Sequence, residues 1–310
     1  MRLGGYRTSD NVSDQGRGFG GGGFGGGGGG GCLFALLPFV LSRFGIGGVL
    51  ILLLGYCALS TLGGGGAGLG VGGPGTTVAP HRQGSGATGD ATQACSSEPA
   101  KRFACQVLAS TEDTWAQLFS ARGQRYQPAP LSFYSGGGTS GCGAAQSAMG
   151  PFYCPTDNKI YLDTAFFDEL QNKFGASGDF AQAYVVGHEV GHHIQDLTGV
   201  LDEASAQQRR VSSREGNAIQ VRVELQADCY AGVWAANARD AQGKLMEPGD
   251  VEEGLRAAQA IGDDTLQRQA QGRVVPEAFT HGSAAQRQQW LRRGLESGDP
   301  AACDTFNGAV

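Results

Sequence analysis

Two glycine-rich tracts divide this 310-residue chain into parts that can form a packed core and parts that cannot. Residues 20–31 are glycine except for Phe24, and residues 63–90 are also rich in glycine and poor in large apolar side chains. Glycine loses the most backbone freedom on folding and brings no side chain to bury. We therefore expect residues 1–31 to be a flexible arm, residues 63–90 to be a linker, and residues 91–310 to form one domain with a substantial core.

A largely apolar segment, residues 32–62, lies between the two tracts and is interrupted by Arg43. Residues 44–62 carry no charge, and a membrane helix needs about 20 apolar residues. A signal peptide normally lies nearer to the N-terminus and has a shorter apolar region. A buried core helix would have nothing nearby to pack against. We therefore predict a single transmembrane helix over about residues 44–62, which makes the lipid bilayer one partner of the chain.

Charge predicts how this helix is oriented and which other partners are excluded. Basic residues precede the span, namely Arg2, Arg7, Arg17 and Arg43, and basic flanks stay in the cytoplasm. We therefore expect a cytoplasmic N-terminus and an extracytoplasmic domain after residue 62. The net charge of −6 and the lack of a Lys/Arg run argue against nucleic acid as a partner.

Cysteine usage agrees with an oxidising compartment for the large domain. An even number of cysteines follows the apolar segment, which favours disulfides: Cys95, Cys105, Cys142, Cys154, Cys229 and Cys303. Cys142 and Cys154 flank a short stretch and are the predicted pair, whereas the other pairings stay open. No CxxC spacing occurs among them, so cysteine is a poor candidate for a metal ligand.

The hydrophobic pattern of the large domain predicts a mostly helical α+β fold with a small sheet in its front half. Short strands are expected over residues 131–134 and 159–162. Helices are expected over residues 98–121, 162–174, 179–198, 204–240, 250–271 and 283–296.

The motif that points to chemistry is His-Glu-Val-Gly-His at residues 188–192, an HExxH sequence inside one of the predicted helices. At about 100° per residue, His188 and His192 fall about 40° apart on one face, and Glu189 lies beside them. An aliphatic stripe lies opposite, formed by Val186, Val190, Ile194 and Leu197. Such a helix can be anchored in a core while it offers two imidazoles to one zinc ion.

A catalytic zinc usually has three protein ligands, so a third must come from elsewhere. Glu224 and Asp228 are four residues apart and share a face of the predicted helix 204–240. On their own they would be read as a solvated pair of carboxylates. Small residues on the same side would let this helix approach the HExxH helix closely, namely Ala227, Ala231 and Ala235. We predict Glu224 as the third ligand and Asp228 as the hydrogen-bond acceptor for a ligand histidine.

Three other residues compete for the place of third ligand: His193, His281 and Glu203. His193 lies off the ligand face and is read as a structural histidine. Glu203 follows the helix after one short loop and has no partner four residues on. His281 precedes a predicted helix, where a plain loop role is equally open.

These motifs together resemble a known family of proteins. HExxH followed by Glu-x-x-x-Asp resembles the gluzincin arrangement of zincin metallopeptidases, and the wider pattern resembles the bacterial putative neutral zinc metallopeptidases. The stretches that carry the resemblance run from the N-terminal segment to the last helix: SDNVSDQG, GPFYCPTDNKIYLD, VVGHEVGHHIQ, ELQADCYAGVWA and THGSAAQRQQW. The resemblance implies a bacterial membrane protein with a zincin-like fold and peptidase chemistry.

The expected activity is zinc-dependent cleavage of peptide or protein substrates. A single zinc ion would activate a water, Glu189 would act as its general base, and a further donor would assist the developing oxyanion. Candidates for that donor are His281, Tyr153 and Tyr230, and residues 159–162 are a candidate edge strand for binding the peptide. Two alternatives remain open: a non-catalytic envelope scaffold stabilised by zinc, and a membrane-anchored interaction module.

Overall fold

The computed structural model describes residues 1–17, 87–308 and 310, which form one compact unit. The predicted transmembrane helix at 44–62 and most of the linker at 63–90 lie outside these residues. None of the helices in the described ranges combines the length and the apolar composition that a membrane span requires.

Helices make up most of the described chain, which confirms the mostly helical α+β class. They are α1 (Ala87–Ser96), α2 (Pro99–Ser120), α3 (Ala165–Asn172), α4 (Asp179–Leu197), α5 (Val200–Gln208), α6 (Ser213–Asn237), α7 (Asp250–Ala260), α8 (Asp263–Gln271) and α9 (Ala284–Ser297). The strands are β1 (Val12–Arg17), β2 (Leu131–Ser135), β3 (Gly137–Ser140), β4 (Gly143–Gln146), β5 (Phe152–Cys154), β6 (Lys159–Leu162), β7 (Arg239–Asp240) and β8 (Gly243–Lys244).

The main sheet has the order β4-β3-β2-β6-β5, and β1 also pairs with β2. Strand β2 is parallel to β1 and to β6, with Leu131 opposite both Val12 and Ile160. Strand β5 is antiparallel to β6 and forms the edge of the sheet nearest to α4. The prediction that residues 159–162 form the edge strand is therefore wrong, because β6 is paired on both sides.

The first 17 residues belong to the folded unit, which corrects the flexible arm predicted over residues 1–31. Besides β1, the side chains of Met1 and Leu3 are buried in the core. The Met1 amino group lies 2.5 Å from an Asp179 carboxylate oxygen and 2.9 Å from one of Asp250. The prediction of flexibility was based on glycine content, which is high in residues 20–31 but not in the segment before them.

This pairing also corrects the predicted orientation across a membrane. A strand and the sheet that it joins must occupy one compartment. The predicted combination of a cytoplasmic N-terminus and an extracytoplasmic domain is therefore wrong as a pair, because β1 and β2 exchange backbone hydrogen bonds. The start of the folded domain also moves from residue 91 to residue 87, where α1 begins.

Close contact between α4, α6 and α9 builds the centre of the molecule. A Cβ atom on Gly191 would lie 2.8 Å from the Ala227 carbonyl oxygen, and one on Gly294 would lie 2.0 Å from the Cys229 carbonyl oxygen. Side chains at these positions would force the helices apart, so glycine is required for the observed spacing. The predicted role of small residues on α6 is thereby confirmed at Ala227.

Two predicted helices are each divided in two. The span 204–240 breaks before Ser212, which caps α6 in a capping box with Glu215. The span 250–271 breaks at Gly262, where a Cβ atom would lie 2.4 Å from the Ala284 backbone nitrogen. In both cases a local cap or a close backbone approach outweighs the continuous helical pattern.

The six cysteines of the folded unit form three disulfides. Cys142–Cys154 is present, as predicted, and the other bonds are Cys95–Cys105 and Cys229–Cys303. The last of these joins α6 to the C-terminal segment across 74 positions of the sequence.

Candidate metal centre

Helix α4 presents the HExxH residues as the sequence predicts. Val186, Val190 and Ile194 are buried in the hydrophobic core on one face. His188 and Glu189 are buried on the face toward α6, and His192 is nearly so. The aliphatic stripe therefore anchors the helix in the core, and the opposite face carries the two histidines and Glu189. Leu197 departs from this pattern, because it is exposed at the end of the helix.

The structure brings together the three residues predicted to hold zinc. One ligand atom each from His188, His192 and Glu224 lies within 4.8 Å of the other two. Glu224 Oε2 is 3.2 Å from His188 Nε2 and 3.6 Å from His192 Nε2. Two imidazoles and one carboxylate form a donor set typical of catalytic zinc sites.

Asp228 occupies the place expected of it, behind the first histidine. Its Oδ1 lies 2.8 Å from His188 Nδ1, so Nδ1 donates to Asp228 and Nε2 is the ring nitrogen that faces Glu224. Two further groups that the sequence analysis missed also bind Asp228. Tyr184 donates to Oδ1 at 2.6 Å, and Arg287 donates to both carboxylate oxygens at 2.8 and 2.9 Å.

Gln195 is the corresponding partner of the second histidine and was also missed. Its Oε1 lies 2.8 Å from His192 Nδ1. Gln195 is three residues after His192 on the same helix, so the spacing itself was a usable signal.

The charged groups of the site stabilise positive charge between the carboxylates of Asp228 and Glu224. Burial alone would lower the pKa of His188, but Asp228 and Glu224 outweigh it and raise the pKa to about 10. For Glu224, burial would raise the pKa, but the two histidines lower it well below its usual value. The site therefore holds a buried carboxylate in its charged form and draws positive charge toward it.

Glu189 differs from Glu224 in its electrostatics. Burial raises the pKa of Glu189, and the nearby His188 and His192 oppose this only in part. A carboxylate with a raised pKa is better suited to taking and returning a proton than one that is held firmly ionised. The two glutamates of the site thus differ in their pKa, which is raised for Glu189 and lowered for Glu224.

His281 lies in the wall of the same cleft, held by Asp263. Asp263 accepts backbone hydrogen bonds from Thr280, His281 and Gly282, and its Oδ1 is 3.3 Å from His281 Nδ1. The hydrogen bond to Asp263 is the main cause of the raised pKa of His281; burial opposes it and Glu224 adds to it. The half-exposed imidazole is thus held in place, and its raised pKa keeps it protonated to a higher pH than an ordinary histidine.

The other candidate residues have structural surroundings. Tyr153 donates to Asp196 at 2.6 Å and also contacts His193 Nδ1, whose Nε2 lies 2.7 Å from the Gln127 carbonyl oxygen. The expected structural role of His193 therefore agrees with its contacts. Tyr230 is buried against Trp115, away from the cleft, and Glu203 is exposed on α5.

An open cleft of about 550 Å³ runs past the three predicted ligands and Glu189. The edge strand β5 and the turn before it form one side of it. Apolar side chains contribute much of the remaining wall, among them Met149, Phe166, Phe174, Val185, Leu201, Ile261 and Leu266. The three predicted ligands are thus accessible from solvent to an extended polymer and are not enclosed within the protein.

An HExxH helix with a glutamate on a second helix is the arrangement found in one class of zinc metallopeptidases. The chain belongs to the family described as putative neutral zinc metallopeptidase, whose sequence model matches residues 1–306. This match confirms the family resemblance drawn from the motifs.

Curated relatives come from Escherichia coli and Mycobacterium tuberculosis. The chain is 52% identical over 213 residues to "Uncharacterized protein YpfJ" of Escherichia coli K12, covering 69% of this chain and 74% of the relative. It is 45% identical over 233 residues to "Uncharacterized protein Rv2575" of Mycobacterium tuberculosis H37Rv, covering 71% and 76%. No solved structure matches the chain.

Proposed function

We propose that this protein is a zinc-dependent endopeptidase with a zincin-like active site. The observation that carries the proposal is the convergence of His188, His192 and Glu224 beside Glu189 in the wall of an open cleft. Family membership supports the same chemistry. The cleft is open rather than closed, which favours binding of a chain in mid-sequence over binding of a chain end.

The donor set fits a single zinc ion. Each histidine has an acceptor at Nδ1, Asp228 for His188 and Gln195 for His192, so Nε2 of each ring is the nitrogen that would bind the metal. Glu224 supplies a buried carboxylate whose Oε1 accepts from Gln220 at 3.0 Å, which leaves Oε2 toward the histidines. Bound zinc would lower the pKa of a coordinated water and polarise the carbonyl of the substrate.

Glu189 is the proposed general base. It is next to His188 on α4 and lines the cleft beside the ligand set. Its carboxylate would take a proton from the attacking water and deliver it to the amine that leaves when the peptide bond breaks. Because burial raises its pKa, the protonated form that must exist between these two steps is stabilised.

His281 is the proposed donor to the oxyanion. Asp263 holds its Nδ1, and His281 and Glu189 line the same cleft. A protonated imidazole can donate to the oxygen that becomes negative as the peptide carbonyl is attacked. Tyr153 is a weaker candidate because its hydroxyl proton is given to Asp196.

Strand β5 is the proposed docking edge for the substrate backbone. It pairs with β6 on one side, and its residues Phe152 and Tyr153 line the cleft. An extended peptide could add to its other side by backbone hydrogen bonds. Such pairing involves only backbone groups and does not depend on the substrate's side chains. It therefore agrees with an endopeptidase that selects its substrate chiefly through apolar pockets.

For the cellular location, we propose attachment to the bacterial membrane through the apolar segment 32–62. The three disulfides support an oxidising, extracytoplasmic location for the folded unit. Because β1 belongs to this unit, the proposal places residues 1–17 outside as well.

The proposal is tested on the purified full-length chain by metal analysis and by cleavage of an unstructured protein such as casein. One zinc per chain and cleavage at internal peptide bonds are expected. Loss of cleavage with a chelator and its return with added zinc would tie activity to the metal. Bound zinc without any cleavage would favour the non-catalytic scaffold.

A further inference from the structure

Resting on the proposed zinc site, we propose that Gln195 is a positioning residue that fixes His192 for metal binding, with Gln226 as its support. Gln195 was not among the residues that the sequence motif identifies. It lies on α4, fully buried, three residues beyond the ligand that it contacts.

The hydrogen bonds of Gln195 have only one consistent direction. Its side-chain nitrogen donates to the Val223 carbonyl oxygen at 2.7 Å and to Gln226 Oε1 at 3.0 Å. A backbone carbonyl can only accept, so the nitrogen of the Gln195 amide must face it. The amide oxygen therefore faces His192, and His192 must donate from Nδ1 at 2.8 Å.

Gln226 continues this series of hydrogen bonds, with the same order of donor and acceptor, to the C-terminal segment. Its nitrogen donates to the Cys303 carbonyl oxygen at 2.9 Å, which leaves its oxygen to accept from Gln195. Cys303 is covalently bonded to Cys229, three residues after Gln226 on α6. The chain of hydrogen bonds thus begins at a ligand histidine and ends on a backbone group that a disulfide fixes.

The two amides of this series and the disulfide at its end are shielded from water. Gln195, Gln226, Cys229 and Cys303 are each buried. Water cannot readily replace a lost hydrogen bond there, so each amide is held in a single orientation. His192 is consequently held with Nδ1 donating to Gln195 and with Nε2 on the side of Glu224, 3.6 Å away.

The two ligand histidines are therefore held by chemically different partners. His188 donates to the charged carboxylate of Asp228, which Arg287 neutralises, whereas His192 donates to a neutral amide. An amide orients the ring without adding a further negative charge beside Glu189 and Glu224. This is the physical reason for a glutamine, rather than an acid, behind the second ligand.

The test measures zinc affinity of the full-length chain by competition with a chelator of known affinity. Gln195→Met keeps the size of the side chain and removes its hydrogen bonds. We expect zinc binding to weaken by about 10- to 100-fold, the usual effect of losing such a partner. Gln226→Met leaves the contact between Gln195 and His192 in place and should weaken binding by a smaller factor.

The visible absorption of the Co²⁺-loaded protein gives a second readout. Gln195→Met should change the spectrum, because the imidazole of His192 is no longer held at one angle. A purely structural glutamine would lower thermal stability of the metal-free chain but leave the spectrum unchanged.

Gln106→Met is the matched control. Gln106 is also buried, but it lies on α2, away from the metal centre, and its amide donates to the Tyr6 carbonyl oxygen. We expect this variant to keep the zinc affinity and Co²⁺ spectrum of the original chain. Equal zinc affinity in Gln195→Met and the original chain would overturn the inference, as would an equal loss in Gln106→Met. An original chain that binds no zinc would instead overturn the proposed function.

Discussion

Arg287 and Asp228 form a bidentate ion pair inside the protein, with Nε 2.9 Å from Oδ2 and Nη2 2.8 Å from Oδ1. Both side chains are buried. Asp228 also contacts His188, so the pair connects α9 and α6 to the HExxH helix α4. Burial would raise the pKa of Asp228, but Arg287 and His188 lower it to about 2. The carboxylate behind the first ligand is thus kept charged.

Removing the arginine should therefore be costly. In Arg287→Met the buried carboxylate loses its partner, and breaking such a pair costs roughly 3–5 kcal/mol of the free energy of unfolding. Urea denaturation of the full-length chain measures this. Arg292→Met, an exposed change on the same helix, should stay within about 0.5 kcal/mol. Equal stability of the two variants would contradict the account.

The pH dependence of cleavage should report on His281. Its pKa is raised, chiefly by Asp263, so the protonated donor persists above the ordinary histidine range and is lost as pH rises through the raised pKa. Asp263→Asn removes the main cause of the shift and should move the alkaline limb of kcat/KM to lower pH. Asp264→Asn on the same helix, whose carboxylate caps Ala284 instead, should leave that limb in place. An unmoved limb in Asp263→Asn would remove His281 from the mechanism.

The disulfides differ in what they support. Replacing Cys229 and Cys303 by serine opens a loop of 74 residues, which chain entropy values at about 4 kcal/mol of stability. Replacing Cys95 and Cys105 opens one of 10 residues and should cost about 3 kcal/mol. Only the first change touches the support of Gln195, so only it should also weaken zinc binding. Zinc titration and denaturation of both variants separate the two effects.

The folded residues before and after the apolar segment 32–62 should lie on one side of the membrane. Asp10 and Asp202 are exposed on the folded unit, before and after the insertion. With Cys32 and Cys57 replaced by serine, single cysteines at these two positions should react alike with a membrane-impermeant maleimide in intact cells. Labelling of one position and protection of the other would show that β1 does not pair with β2 in the cell.

Local patterns allowed much of the centre to be predicted. The HExxH spacing places its side chains on one face whatever surrounds the helix, and Glu224 and Asp228 share a face for the same reason. The pairing of Cys142 with Cys154 followed from a short separation. Each of these predictions depends on neighbours within a few turns or one loop.

Long-range contacts could not be predicted in the same way. Strand β1 pairs with a strand more than a hundred residues later, and a glycine tract beside it suggested disorder. Arg287 meets Asp228 only because Gly294 lets α9 approach α6 closely. Polar partners such as Arg287 therefore become visible only once the helices are placed.

The central claim is that Glu189 performs proton transfer at a zinc site. The most direct measurement compares zinc content and casein cleavage in the full-length chain and in Glu189→Gln. We predict unchanged zinc content, because Glu189 is not in the ligand set, and a loss of turnover of about 10²- to 10⁴-fold. Full turnover in Glu189→Gln, with zinc still bound, would contradict it.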